Sequence, residues 1–136
     1  FDLKNSHVLS ALVRKFYDAK ISNKKFVTLW GDGKAKREFM HINDAAEAVL
    51  FLMKNYDSNK FINLGSGKDI SIQDLAILIK EKIGFKGQIK WDTSMPNGMP
   101  QKLLDISKLI DLGFESKISL EQGINEMITN YKKTIE

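Results

Sequence analysis

Four stretches in which apolar residues recur every three or four positions alternate with short β-branched and aromatic runs, and this alternation restricts the fold most. Over residues 8–20, Leu9, Leu12, Val13, Phe16 and Tyr17 share one helical face. Behind Asn43, which is placed to cap, Ala45, Ala46, Val49, Leu50 and Met53 repeat that period. Ser71 and Asp74 form a capping-box pair before Ile72, Leu75, Ala76, Ile79 and Ile83, with Gly84 as the stop. Ser119 with Gln122 repeats the box before Leu120, Ile124, Met127, Ile128 and Tyr131. A short helix is predicted over residues 107–112, ended by Gly113. Residues 26–30, 37–42, 61–64 and 88–91 read as strands, separated by turns at 31–36, 65–67 and 96–100. The chain therefore predicts an α/β fold, short strands packed by several helices, as one domain over residues 1–136 with no internal repeat or linker.

A chain of 136 residues with 43% hydrophobic content is long enough for a core of its own. The net charge of +4 favours anionic partners, but the lysines are scattered. Nucleic-acid binding calls for a basic stripe interleaved with aromatics, so a small phosphorylated ligand fits better. Without cysteine there are no disulfides or thiolate metal sites, and two separated histidines do not make a closed zinc site. No apolar run approaches the ~20 residues that span a bilayer. A cytoplasmic protein without a membrane partner is expected. The chain opens FDLKN without methionine and enters a helical pattern at once, so it is expected to be a piece of a longer protein.

No strand opens into G-x-G-x-x-G and no G-x-x-x-x-G-K-[ST] loop occurs, so neither a dinucleotide nor a P-loop site is expected. Four motifs follow one another instead: NSHV at 5–8, WGDGKAKREFMHINDAA at 30–46, FINLGSGKDISI at 61–72 and PNGMPQKLLD at 96–105. The middle two resemble the C-terminal portion of extended short-chain dehydrogenases acting on nucleotide sugars. The first and last narrow the resemblance to the GDP-L-fucose synthases.

That resemblance implies a small mixed α/β substrate-binding lobe, with the Rossmann lobe absent from this chain. It implies an enzyme that converts GDP-4-keto-6-deoxy-D-mannose to GDP-L-fucose by C3/C5 epimerisation and NADPH-dependent C4 reduction. The NADPH would be bound by the missing N-terminal lobe, and the full-length protein would be a homodimer. Carried onto this sequence, the family's pattern makes His7 the catalytic acid, a role that suits an imidazole titrating near neutrality. Arg37 and Lys102 fall near the diphosphate, where a planar fork and an ammonium suit a dianion. Trp30 falls at the rim of the pocket, although core packing at a strand end is the stronger reading from position alone. Lys15 stands where the family usually has arginine, so charge is kept and bidentate geometry lost. Leu12, one turn earlier on the same face, falls beside the base pocket in that pattern, although most leucines at helical spacing are core residues. The fragment alone is expected to be inactive, and to self-associate or be marginally stable because apolar surface stays uncovered. The alternatives are a related GDP-sugar enzyme, such as a GDP-manno-heptose epimerase or reductase, and a non-catalytic nucleotide-sugar binding module.

Three patterns are set aside. The GSG at 65–67 is a structural turn in the family, and a lone G-x-G is weak evidence. His41 with Asp44 suggests a dyad, but the dipole of the following helix suffices to explain Asp44. Tyr56 and Lys60 spell YxxxK, yet Asp57, Ser58 and Asn59 predict a loop there rather than the single helix face that pair needs.

Overall fold

The structure, a computed structural model, describes residues 7–135, so Asn5 and Ser6 of the first motif lie outside the described residues. In chain order the elements are α1 (Val8–Ile21), β1 (Phe26–Trp30), β2 (Lys36–Glu38), α2 (Ile42–Asn55), β3 (Asp69–Ser71), α3 (Ile72–Ile83), β4 (Gln88–Asp92), β5 (Gln101–Lys102), α4 (Ser107–Asp111) and α5 (Leu120–Ile135). β1 pairs in parallel with β4, from Phe26 opposite Gln88 to Trp30 opposite Asp92. A second sheet has the order β3-β2-β5, antiparallel on one side of β2 and parallel on the other. Parallel pairing requires a crossover, and here it contains β2, α2, β3 and α3.

Alternate burial along β1 turns Val27 and Leu29 inward and leaves Phe26, Thr28 and Trp30 outside. Against the inner face lie the apolar stripes of α1, α3 and α5, whose Phe16, Leu75, Ile79 and Ile124 are fully buried. The Tyr131 hydroxyl of α5 donates to Asp18 Oδ1 of α1 at 2.9 Å, which fixes the register of the two helices. A second, smaller cluster of Ala48, Leu109 and Phe114 joins α2 to α4.

Both capping boxes form. Ser71 Oγ accepts from Asp74 N at 3.0 Å, and Ser119 and Gln122 exchange bonds of 2.8 and 3.2 Å. α2 differs from expectation, because its cap is His41 rather than Asn43. The His41 ring Nδ1 accepts the Asn43 N–H at 3.3 Å, so the helix starts one residue before Asn43. Residues 61–64 form no strand. No neighbouring strand reaches them, so Ile62 and Leu64 pack on the second cluster while Phe61 is 79% exposed. β2 stops at Glu38, short of the expected residue 42, because its two partners extend no further.

α2 carries apolar groups on two opposite faces. Asp44 and Ala48 point inward, whereas Ile42, Ala46, Val49, Leu50 and Met53 form an exposed stripe, with Ile42 at 75% and Met53 at 78%. An exposed apolar stripe of this kind marks an interaction face.

Phe16→Ala is expected to destabilise the fold by about 3–5 kcal/mol, and Ile77→Ala, on the outer side of α3, by less than about 1 kcal/mol, read from urea denaturation followed by circular dichroism. The 136-residue chain is also expected to self-associate in sizing chromatography, with Leu50→Lys and Met53→Glu together moving it to the monomer position. A monomeric profile of the unsubstituted chain with a sharp unfolding transition would contradict the second expectation.

Candidate functional site

Parallel pairing of β2 with β5 sets Arg37 opposite Lys102. Partners in a pleated pair project to the same face with their Cβ atoms roughly 5 Å apart, so the guanidinium and the ammonium start side by side. Arg37 also holds the loop before β5, since its Nη1 donates to the Met99 carbonyl at 2.8 Å and to the Lys36 carbonyl at 2.6 Å. Lys36 N donates to the Pro100 carbonyl at 2.8 Å, so the loop is pinned to β2 at two consecutive residues.

The same loop closes on the turn after β1. Asn97 Oδ1 accepts from Asp32 N at 2.7 Å. Gly31 adopts φ +77°, and a Cβ there would fall 2.2 Å from Asn97 Oδ1, so both the turn and the close approach require glycine. Gly31 N donates in turn to the Asp92 carbonyl at 2.9 Å, joining the ends of β1 and β4.

Lys15 and Trp30 form a second pair. The Lys15 ammonium stands 5.8 Å from the centre of the Trp30 ring, within cation–π range. Trp30 is 64% exposed, so it is not a core residue; its outward position follows from the alternation of β1. Lys15 is half-buried, and burial pushes its ammonium below the ordinary lysine value. Beside this pair, Lys15, Lys24, Lys25, Phe26 and Thr28 line a cavity of about 560 Å³.

Leu12 takes no part in the cavity; it is 3% exposed in the main core, where the inner face of α1 must point. His7 precedes α1 and is exposed, two turns from Lys15. Its carbonyl accepts from Ala11 N, and its ring makes no capping bond.

The patterns set aside prove structural. Tyr56 is the C-cap of α2, and its hydroxyl donates to the Lys60 carbonyl at 2.9 Å, so the YxxxK residues lie on a loop. His41 and Asp44 take separate partners. His41 Nε2 meets Glu126 Oε2 at 3.1 Å, and the buried Asp44 accepts from Lys117 N and Ile118 N. Sequence reasoning missed Asn97 and Glu38, whose side chains tie segments distant in sequence, and gave Asp44 only a helix-dipole role although it also holds Lys117 and Ile118. No metal-ligand cluster occurs among the described residues, and no described helix is long and apolar enough to cross a membrane.

Residues 1–65 match the NAD dependent epimerase/dehydratase family. Over 135 residues the chain is 46% identical to a putative GDP-L-fucose synthase 2 of Arabidopsis thaliana, covering 99% of this chain and 41% of that protein. The chain resembles the GDP-L-fucose synthases along nearly its whole length. It also superposes on a GDP-L-fucose synthetase from Naegleria fowleri bound to NADP, with a TM-score of 0.89, 30% identity, and coverage of 99% of this chain and 43% of that one. A GDP-mannoheptose C4 reductase from Campylobacter jejuni with NADP bound superposes at a TM-score of 0.84 and 32% identity, covering 96% and 48%. The chain thus spans about two fifths of the length of the curated relatives it matches.

The glycine turn before β3 does not fit the pyrophosphate of a dinucleotide. The Gly65–Ser66–Gly67 turn leads into the short strand β3 instead of a helix, and a Cβ on Gly65 would meet the Glu38 carboxylate at 2.5 Å. In a Gly-rich dinucleotide turn the pyrophosphate is held by backbone N–H groups at a helix N-terminus, whereas this turn faces an acid.

Burial penalises the charged form of Lys15 in the folded state, so its cost is present at neutral pH and fades as pH rises toward 10.5. Lys15→Met is therefore expected to raise the thermal midpoint at pH 7, with the gain shrinking above pH 9, as melts across that range would show.

Proposed function

We propose that this chain is the substrate-binding part of a GDP-sugar epimerase and reductase, the C-terminal domain of a protein converting GDP-4-keto-6-deoxy-D-mannose to GDP-L-fucose with NADPH. The pairing of Arg37 with Lys102 carries the reading, because two cations on partnered residues of one sheet face suit the charge of a diphosphate. Lys15 and Trp30 give the nucleoside a cation and an indole face at the end of β1. The exposed ring of His7 is assigned as the acid that returns a proton to the sugar ring during epimerisation, a step that needs a donor on the face opposite the base.

NADPH is assigned to the part of the relatives this chain does not span, a reading supported by the lack of a G-x-G-x-x-G motif in this sequence. The exposed stripe of α2 is assigned to the contact with that part, since an apolar helix face needs cover and the described residues supply none. The likeness to the GDP-mannoheptose reductase supports a second reading, in which the same diphosphate clamp serves a GDP-heptose.

In the full-length protein carrying this sequence, Arg37→Ala and Lys102→Ala are each expected to weaken GDP binding about tenfold, the loss typical of a charge-assisted hydrogen bond. Because the two groups share one ligand, the double substitution should cost less than the sum. Calorimetric titration checks both, and unchanged affinity in both single variants would refute the diphosphate assignment. NADPH oxidation on adding GDP-4-keto-6-deoxy-D-mannose, compared with a GDP-4-keto-heptose, separates the two readings. Turnover by the 136-residue chain alone would refute the assignment of NADPH to residues outside it.

A further inference from the structure

Glu38 follows Arg37 in β2 and projects to the opposite face of the sheet. Its carboxylate joins three places. Oε1 accepts from Gly67 N at 2.6 Å and from Ser66 Oγ at 3.3 Å, and Oε2 accepts from Leu104 N at 3.0 Å. Leu104 lies two residues beyond Lys102, and Gly67 two residues before β3. One side chain on the central strand therefore grips the segments leaving β5 and entering β3.

β5 is only two residues long, and such a strand has few ladder bonds to fix its register. The grip on Leu104 supplies the missing constraint from behind, while Arg37 holds Met99 on the near side. Lys102 sits between those two anchors. Gly65 fits the same arrangement, since any side chain there would strike the Glu38 carboxylate and push it from Gly67.

The geometry points to Glu38 as a positioning residue that sets Lys102 beside Arg37 and so determines recognition of the second phosphate of a nucleoside diphosphate. The inference rests on reading Arg37 and Lys102 as the diphosphate holders. Glu38 touches no ligand in this scheme; it acts through the backbone of residues 102–104.

GDP and GMP titrated calorimetrically into the full-length protein and its Glu38→Gln variant give the test. Gln keeps the shape but turns one of the two oxygens into an NH2 donor, so either Gly67 N or Leu104 N, which bond to different oxygens, faces a donor instead of an acceptor. GDP affinity should fall about tenfold and GMP affinity by no more than about twofold, because only the second phosphate loses its partner. A purely structural role would lower the melting temperature yet leave the GDP-to-GMP ratio intact, and that result, or tighter GDP binding, overturns the inference. Should Glu38→Gln fail to fold, Glu38→Asp keeps the charge and withdraws it by one methylene, and it should narrow the same ratio; an intact ratio there overturns the inference equally. An unsubstituted protein that binds GMP as tightly as GDP overturns the diphosphate reading, and with it this inference, before any variant is compared.

Discussion

The parallel pairing of β1 with β4 is the constraint on which the remaining arrangement depends. Two parallel strands end on the same side, so the turn after Trp30 and the loop after Asp92 leave the pair as neighbours. Asn97 can then reach Asp32, and the loop it belongs to can continue to β2 and become β5. Trp30 lies at the carboxyl end of β1, and the turn and loop leaving this pair lead to Arg37 on β2 and Lys102 on β5. Its exposed indole is there because the pleat of β1 sends Val27 and Leu29 into the core and Trp30 away from it.

Holding two cations together is unfavourable without an anion, and the fold offsets this by backbone fixation rather than by an ion pair at the same place. Arg37 donates to carbonyls, and Glu38 takes backbone N–H groups from the far face. The two side chains brace the same short strand from opposite sides. Such bracing keeps side-chain groups in place before a ligand arrives, which lowers the ordering cost of binding.

Much of the architecture was legible because it rests on local chemistry. The periods of α1, α3 and α5 follow from side-chain spacing, and the caps of α3 and α5 from Ser71, Asp74, Ser119 and Gln122. β1 was legible to the residue, since a five-residue β-branched and aromatic run has few other uses. Residues 61–64 misled for the same reason, because a strand-like composition needs a neighbour to pair with, and the chain brings none to Phe61. The cap of α2 misled because imidazole is an uncommon cap and Asn43 offered a better-known one.

The residue types of the site, His7, Lys15, Trp30, Arg37 and Lys102, were readable as members of a motif, since the sequence carries their identity and order. Their mutual placement was not, because β3 and β5 are two or three residues long and exist only through pairing with β2. The sequence by itself determined the helices, the first strand and the family likeness, all of which depend on near neighbours or on motif identity. Only the tertiary structure decided that Arg37 stands beside Lys102, that Trp30 faces outward over Lys15, that Leu12 belongs to the core and that Glu38 ties three segments together. Each of those is a contact between residues far apart along the chain, fixed by strand register and helix packing rather than by local preference.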